Sequence, residues 1–316
     1  MKSIICLVPA RMESSRYPGK ALELIENQAM VVRCAKNAID ADLHTWVCTD
    51  SELIRAACQQ ASVNVIKTPQ FSTGTDRCAW AIQYIKASHV IILQGDEPLV
   101  QPESLKLFRK KVETHKYSNA LFNGITELAN DSFLDLNVVK ASCRNNRIRS
   151  LTRKFSQDSS STIMRQMGLY GGSTKDFIKF AGLTSSPAEK ESSIEMLRWI
   201  DHGFSLFPVE LAAAPYSVDT PNDMKKCHSF LRTQKHSNHL HGNYSAVPIL
   251  DDSYVRTHSI HLLIHPMYAR LRIVQKLHYH LERVHSTAIR SFPCQTSEHP
   301  SLSSLIRPRR LVAAAH

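Results

Sequence analysis

Residues 4–20 read IICLVPARMESSRYPGK. The first five residues are apolar and mostly β-branched, which predicts a buried β-strand. The loop that follows carries the cations Arg11, Arg16 and Lys20 together with two serines and a Pro-Gly turn. Such a loop at the end of a strand can bring cations and backbone N–H groups together on an oligophosphate, although its spacing is not that of a P-loop. A solvated basic turn is the alternative interpretation.

The rest of the first 235 residues alternates apolar, β-branched runs with segments that carry apolar residues at helical spacing. The predicted strands are residues 45–49, 63–67 and 90–93, with weaker ones at 137–142, 204–208 and 216–218, and the predicted helices are residues 31–40, 51–61, 75–86 and 102 to about 115. Asp50 can cap the second helix, and Thr220 with Pro221 starts another one. This alternation predicts an α/β fold with a three-layer, mostly parallel, Rossmann-like sheet.

Two further loops carry polar residues where predicted strands end. The stretch QGDEP at residues 94–98 places Asp96 where a carboxylate suits a divalent metal that bridges phosphate oxygens, and Glu97 is the alternative ligand. The stretch FSTGTDR at residues 71–77 can hydrogen-bond a base or ribose, although Thr75 can also be a plain helix cap. Because ligands collect at the carboxyl ends of parallel strands, we expect these loops to form one site.

Composition indicates a globular chain that changes character near residue 236. Of its 316 residues 43% are hydrophobic, and no apolar run is long enough for a membrane helix. We also expect no signal peptide, and eight scattered cysteines without a CxxC pair are typical of free thiols in a reducing cytoplasm. The net charge of +11 favours an anionic ligand or surface without naming it.

Residues 236–316 hold eleven of the sixteen histidines and a net charge of +5. We therefore expect one domain at residues 1–235 and a basic, poorly ordered extension at residues 236–316, with an amphipathic helix at residues 266–284. A nucleic-acid or anionic-surface arm is the alternative for this extension.

The motifs are more specific together than apart. In order they are PARxxSSRxPGK at residues 9–20, STGTDR at 72–77, QGDEP at 94–98, NVVK at 137–140, EMLR at 195–198 and SVDTP at 217–221. This series resembles the bacterial CMP-Kdo synthetases, which are 3-deoxy-manno-octulosonate cytidylyltransferases, over roughly seven-tenths of the chain. The resemblance implies a fold of the nucleotide-diphospho-sugar transferase type.

The resemblance also implies an activity and a set of site residues. The activity is Mg²⁺-dependent transfer of CMP from CTP to the anomeric hydroxyl of a sugar acid, for lipopolysaccharide or surface polysaccharide, by a cytoplasmic homodimer that binds no nucleic acid. The implied catalytic residues are Arg11, Lys20 and Asp96; the nucleotide contacts are Ala10, Arg11, Lys20, Ser72, Thr73, Gly74 and Arg77; the metal ligands are Asp96 and Asp219; the sugar-acid contacts are Arg16, Gln94, Gln166, Tyr170 and Glu195. Asp219 can instead cap the helix that opens at Pro221.

The chain departs from the family on the sugar side. Gln166 stands where the family has a histidine, Gly172 and Ser173 replace a Tyr-Arg pair, and Met196 replaces a glutamine. Losing hydrogen-bonding groups changes substrate selection. The sequence therefore leaves open Kdo, 8-amino-Kdo or a sialic-acid-like substrate, and also a non-catalytic binding protein on the same fold.

Overall fold

The computed structural model describes residues 3–129, 132–154, 161–212, 214 and 216–241. The strands are β1 (Ile4–Pro9), β2 (Leu24–Ile25), β3 (Gln28–Ala29), β4 (His44–Thr49), β5 (Asn64–Lys67), β6 (His89–Leu93), β7 (Ala120–Thr126), β8 (Lys140–Arg144), β9 (Arg147–Thr152), β10 (Thr162–Ser173) and β11 (Ser205–Glu210). The helices are α1 (Met30–Asp40), α2 (Glu52–Gln60), α3 (Gly74–Ala81), α4 (Pro102–Thr114), α5 (Thr174–Gly182), α6 (Pro187–Ser192), α7 (Leu197–Asp201) and α8 (Pro221–His241).

Nine of the strands form one sheet in the order β11-β7-β10-β6-β1-β4-β5, with β8 joined to β10 and β9 joined to β8. Strand β1 pairs in parallel with β4 and β6, β4 with β5, and β7 with β11. Strand β10 runs antiparallel between β6 and β7. The predicted α/β fold with a mostly parallel central sheet is therefore confirmed, and β10 is its main antiparallel insertion.

Helices cover both faces of this sheet because its central strands are apolar on both sides. Along β1, Ile4, Cys6 and Val8 join a core cluster with α1, α2, α4 and α8. Ile5 and Leu7 point the other way and join a second cluster with α3, α5 and α7. Strand side chains alternate between faces, so the two clusters are the two interfaces of a three-layer domain.

Several local predictions are wrong. Ser51, not Asp50, caps α2, and Thr73, not Thr75, caps α3. The α-helical part of α3 ends at Ala81, and a 3-10 turn at Ile82–Tyr84 continues it to within two residues of the predicted end at residue 86. Residues 216–218 form no strand, and the strand expected from 137 begins at Lys140 as β8. No sequence pattern indicated β7, β9, β10 or the helices α5 to α7, which lie in the less regular middle part of the chain.

Helix α8 opens at Pro221 as predicted, with Asp223 accepting from the Thr220 N–H and hydroxyl. It continues to His241 and so passes the composition change at residue 236. The predicted helix at 266–284 and the rest of the extension lie outside the described residues, and the domain limit stays a prediction.

Within the described ranges, no helix has the length and apolar character that a membrane span requires. The seven cysteines described there are all free thiols.

Candidate active site

A polar cleft of about 660 Å³ opens at the carboxyl edge of the central strands. Loops after β1 and β6, the start of α3, part of β10, and the segments before α7 and α8 line it. All fourteen residues that the sequence assigned to the site border this one cleft. Their assembly agrees with the prediction, and their roles toward ligands stay predictions.

The Lys20 ammonium holds the centre of the cleft. Its Nζ donates to Asp96 Oδ2 at 2.9 Å, to Asp219 Oδ1 at 3.1 Å and to the Val218 carbonyl at 2.8 Å. Burial disfavours the charged amine, but the two carboxylates outweigh this effect, so the pKa of Lys20 is raised above its ordinary value. Two carboxylates that are more than a hundred residues apart in sequence thus converge on one cation.

Two further arginines extend the positive charge of this centre. Arg16 pairs with Asp219 at 3.0 Å and donates to Asn137 Oδ1 at 2.5 Å. Arg11 is exposed, and its one hydrogen bond within the described residues is a long one of 3.5 Å to the Ser72 carbonyl. Arg11 is therefore free to bind an anion, whereas Arg16 would exchange protein partners for one.

Glycines let the loops approach each other closely around Gln94. A Cβ on Gly95 would lie 2.8 Å from the Pro9 carbonyl, so only glycine fits where β6 ends beside the first loop. Cβ atoms on Gly74 and Gly168 would lie 2.7 and 2.8 Å from atoms of the Gln94 side chain. The Gln94 side chain is thus held between two backbones, and its side-chain amide has no hydrogen-bond partner within the described chain.

The N-terminus of α3 is occupied by protein groups. Thr73 Oγ1 accepts from the Asp76 N–H, and the Glu195 carboxylate accepts from the N–H groups of Gly74 and Thr75, both at 3.1 Å. Burial raises the pKa of Glu195, and these hydrogen bonds oppose the rise. Because Glu195 already fills the helix end, the nearby cationic loop is the better place for phosphates.

Arg198 fixes the segment that carries Glu195. Its buried guanidinium bonds Asp76 at 2.8 and 3.1 Å and Glu189 at 2.6 to 3.2 Å, which ties α7 to α3 and α6. Hydrogen bonds to two carboxylates raise the pKa of Arg198 in spite of its burial. The EMLR motif pointed to this segment, but nothing in the sequence identified Asp76 and Glu189 as the partners of Arg198.

Glu97, the alternative metal ligand, is committed elsewhere. Both its oxygens accept from Arg165 Nη2, at 3.0 and 3.1 Å, and Oε1 also accepts from the Gly168 N–H at 2.7 Å. Both side chains are 2% exposed. Burial raises the pKa of Glu97, and the Arg165 cation opposes this. Both carboxylates border the cleft, but Asp96 is 30% exposed and is the one accessible to a ligand. Arg165 is a buried partner of Glu97 that the sequence did not reveal.

Arg77 borders the cleft, yet its guanidinium is largely engaged by protein. It donates to Thr68 Oγ1 at 2.6 Å and pairs with Asp50 at 3.1 Å, which is the role that Asp50 has instead of capping α2. Arg153, a further cation missed by the sequence, donates to the carbonyls of Asn137 and Ser192. Burial and the nearby Arg16 charge lower the pKa of Arg153.

Of the four positions where the chain differs from the family on the sugar side, one lines the cleft and three lie outside it. Gln166 lines the cleft and donates from Nε2 to Asn123 Oδ1 at 2.8 Å. Ser173 caps α5, a Cβ on Gly172 would already lie 2.5 Å from Leu121, and Met196 is buried in the core. Gly172, Ser173 and Met196 therefore do not line the cleft, and Gln166 is the departure that borders it.

Asp96 and Asp219 suit Mg²⁺ because they already share a cation, and carboxylates are the hard oxygen ligands that Mg²⁺ prefers. Among the described residues no group of three or more metal-binding side chains exists. Mg²⁺ commonly takes one or two carboxylates and completes its shell with substrate phosphates and water, so two are sufficient.

A mostly parallel sheet with cations and paired carboxylates at its carboxyl edge defines an enzyme of the nucleotidyltransferase class with a Rossmann-like fold. The family model described as cytidylyltransferase matches residues 5–201 of the chain. The chain belongs to the cytidylyltransferase family, as the motif series indicated.

Individual relatives agree with this assignment. The chain is 31% identical, over 74% of its length and 100% of the relative's, to a 3-deoxy-manno-octulosonate cytidylyltransferase of Neisseria meningitidis serogroup B. It is 28% identical to the enzyme of the same name from Porphyromonas gingivalis, over 73% of this chain and 97% of that one. Among solved structures, a CMP:2-keto-3-deoxy-manno-octonic acid synthetase complexed with CTP superposes with a TM-score of 0.66 at 23% identity, over 73% of this chain and 99% of that one. That superposition supports the fold.

Proposed function

We propose that the protein transfers CMP from CTP to the anomeric hydroxyl of 3-deoxy-manno-octulosonate, with Mg²⁺ as the metal, to give CMP-Kdo and pyrophosphate. The observation that carries the proposal is the Lys20 ammonium bound between Asp96 and Asp219 in a cleft that also holds Arg11 and Arg16. The names of the Neisseria and Porphyromonas relatives support the same substrate.

In this proposal the chain contributes charge and position rather than a covalent intermediate. Arg11 and Lys20 bind the triphosphate, and Arg16 binds the sugar carboxylate through its guanidinium. The anomeric hydroxyl attacks the α-phosphorus in line and loses its proton to solvent, and the bond between the α-phosphorus and the α,β-bridging oxygen breaks to release pyrophosphate. Held by Asp96 and Asp219, Mg²⁺ would stabilise charge on the phosphate oxygens and lower the pKa of the attacking hydroxyl.

Lys20 has to exchange partners during this cycle. Its three present bonds are all to protein oxygens, so binding of the triphosphate would draw the ammonium away and free Asp96 and Asp219 for the metal. The nucleotide and the metal are then expected to favour each other's binding, because each removes a competitor of the other.

A second substrate is favoured by one specific observation. Gln166 is the altered residue that lines the cleft, so a related acid such as 8-amino-Kdo or a sialic-acid-like sugar is the second candidate. We also propose a cytoplasmic homodimer that serves lipopolysaccharide or surface polysaccharide synthesis. A non-catalytic binding protein is the alternative from another class.

Pyrophosphate release from CTP and Mg²⁺ tests the proposal, with Kdo, 8-amino-Kdo and sialic acid offered separately. We expect release with Kdo and background release without a sugar acid. Release with another acid alone would replace Kdo by that acid. No release with any acid from folded protein that binds CTP would contradict the proposed reaction and leave the binding-protein alternative.

A further inference from the structure

The bend in β10 creates a need for hydrogen-bond donors. Gln166 pairs with Ile125 of β7, but Tyr170 pairs with Asn123. Between these two pairs β10 advances by four residues while β7 advances by two, so β10 has a bulge there. In such a bulge some backbone carbonyls lose their partners in the sheet, and a buried carbonyl without a donor is costly. The bulge therefore requires a donor from a side chain.

Asn123 supplies that donor. It is fully buried in β7, and its Nδ2 lies 2.8 Å from the Met167 carbonyl and 3.0 Å from each of the Gly124 and Leu169 carbonyls. Carbonyl oxygens only accept, so the NH₂ side of this amide has to face them. The Oδ1 atom of Asn123 is thereby fixed on the opposite side, toward Gln166.

The orientation of Asn123 determines which end of the Gln166 side-chain amide faces it. An amide oxygen cannot donate, so Gln166 has to present Nε2 to Asn123 Oδ1, which lies 2.8 Å away. Its Oε1 makes no hydrogen bond within the described part of the chain. It is also not one of the fully buried polar atoms that lack a partner there, so it is accessible. The Gln166 side chain borders the cleft, so Oε1 is the polar atom that it offers to a ligand.

We infer that Gln166 determines sugar-acid specificity as a fixed hydrogen-bond acceptor and that Asn123 is the positioning residue that orients it. The substrate then carries a hydrogen-bond donor, a hydroxyl or a protonated amine, at this wall of the cleft. The inference rests on the proposed cytidylyl transfer to a sugar acid and deepens it. A histidine at the same place could donate or accept, whereas this amide is held as an acceptor.

Steady-state kinetics of Gln166→Met tests the acceptor. Methionine keeps the length of the side chain and removes the amide, so we expect the KM for the sugar acid to rise about 10-fold and the KM for CTP to stay within about twofold. Gln101→Met is the matched control, since Gln101 also donates one side-chain hydrogen bond, to the Leu99 carbonyl, but lies outside the cleft. An unchanged sugar-acid KM in Gln166→Met would overturn the inference.

Comparing acids locates the donor. An equal rise in KM for Kdo and 8-amino-Kdo assigns it to a hydroxyl that both acids share. A larger rise for one of them assigns it to the substituent at the position where they differ. Both outcomes support an acceptor at Gln166.

A double-mutant cycle tests the positioning role of Asn123. Asn123→Leu should raise the sugar-acid KM by a similar factor, and it should add nothing in the Gln166→Met background because no amide remains to be oriented. A merely structural residue would lower kcat and add its effect in both backgrounds. If Asn123→Leu does not fold, Asn123→Ser, whose hydroxyl can still donate to one carbonyl, takes its place in the cycle. Additive effects would overturn the positioning role.

Solvent exchange of the Gln166 side-chain protons gives a readout that is independent of turnover. These protons, identified in the NMR spectrum by their absence in Gln166→Met, should exchange at least about 10-fold more slowly than those of the exposed Gln59, and Asn123→Leu should remove the difference. Fast exchange in the wild type would overturn the inference even if the enzyme is active. A wild type that turns over none of the acids but shows the protection would contradict the proposed function alone.

Discussion

The two halves of the cleft are built in different ways. In the half formed by β1, β4 and β6, charged side chains such as Lys20 and Asp96 lie in the segments that follow parallel strands. In the half formed by β7 and β10, the neutral amides of Asn123 and Gln166 lie within the strands, beside a bulge. Accessible charge is therefore concentrated on the first side. On the second side the charges of Glu97 and Arg165 are buried and paired, and the direction of hydrogen bonds is what the strands fix.

This difference suggests a division of labour. Loops with several cations can adjust to a flexible triphosphate, because each cation needs only to be near an oxygen. Amides within a sheet are held by backbone pairing and present one fixed donor or acceptor, which suits discrimination between similar sugars. We therefore expect changes in the charged half to abolish the reaction and changes in the strand half to alter stability or substrate choice.

The largest expected effect is that of Asp96→Asn in the charged half. Removing this negative charge from the pair that would hold Mg²⁺ should lower kcat for pyrophosphate release about 10³-fold without unfolding the protein. Asp40→Asn, at the exposed end of α1, is the matched control and should behave as wild type. Activity within about 10-fold of wild type would show that Asp96 is not a metal ligand and would break the division of labour.

The next largest effect is expected in the strand half, on folding. Arg165→Met leaves the buried Glu97 carboxylate without its cation, which should cost about 3–5 kcal/mol in the free energy of unfolding, measured with urea. Because burial then raises the pKa of Glu97 without opposition from Arg165, the folded state favours the protonated acid. The loss should therefore be smaller at about pH 5 than at about pH 8.

The double variant Arg165→Met with Glu97→Gln separates this pair from general packing. It removes both charges, so most of the lost stability should return. A single Arg165→Met variant as stable as the wild type would show that the buried pair does not support the strand half.

The sequence revealed the charged half because its signals are local. Arg11, Lys20 and Asp96 lie in the segments that follow strands with clear apolar runs, and parallel topology brings such segments to one edge. Asp219 needed the motif resemblance, because the strand prediction before it, at residues 216–218, was weak, and that segment forms no strand. The prediction that Asp50 caps α2 was wrong because the Asp50 carboxylate accepts instead from Arg77, which lies 27 residues away in the sequence.

The strand half could not be predicted in the same way. Strand β10 contains three glycines and no regular alternation, so nothing local indicates its position between β6 and β7. The pairs that define this half, Glu97 with Arg165 and Asn123 with Gln166, join residues 68 and 43 positions apart. Such contacts follow from the tertiary register and not from any pattern within one segment.

A smaller effect is expected for Lys20→Met on metal affinity. The ammonium lies 2.9 and 3.1 Å from the carboxylates that would bind the metal, so its removal should tighten Mn²⁺ binding to the nucleotide-free protein about 10-fold. Electron paramagnetic resonance of free Mn²⁺ measures this directly. Lys106→Met, on the exposed face of α4, is the control. If Mn²⁺ affinity is unchanged, Lys20 does not compete with the metal. The expectation that CTP and the metal favour each other's binding then fails as well.

The smallest effect is expected from removing residues 242–316. Every residue assigned to either half of the cleft lies between Ala10 and Asp219, and the described part of α8 ends at His241. A chain that stops after His241 should therefore keep kcat/KM for pyrophosphate release within about twofold.

The binding-protein alternative predicts the opposite distribution of effects. It expects salt-sensitive polyanion binding by the full chain, because a binding arm would use the net charge of +5 carried by residues 236–316, and loss of that binding on truncation. If truncation removes turnover to the same extent as Asp96→Asn, the extension takes part in catalysis, and the cleft has a third contributor beyond its two halves.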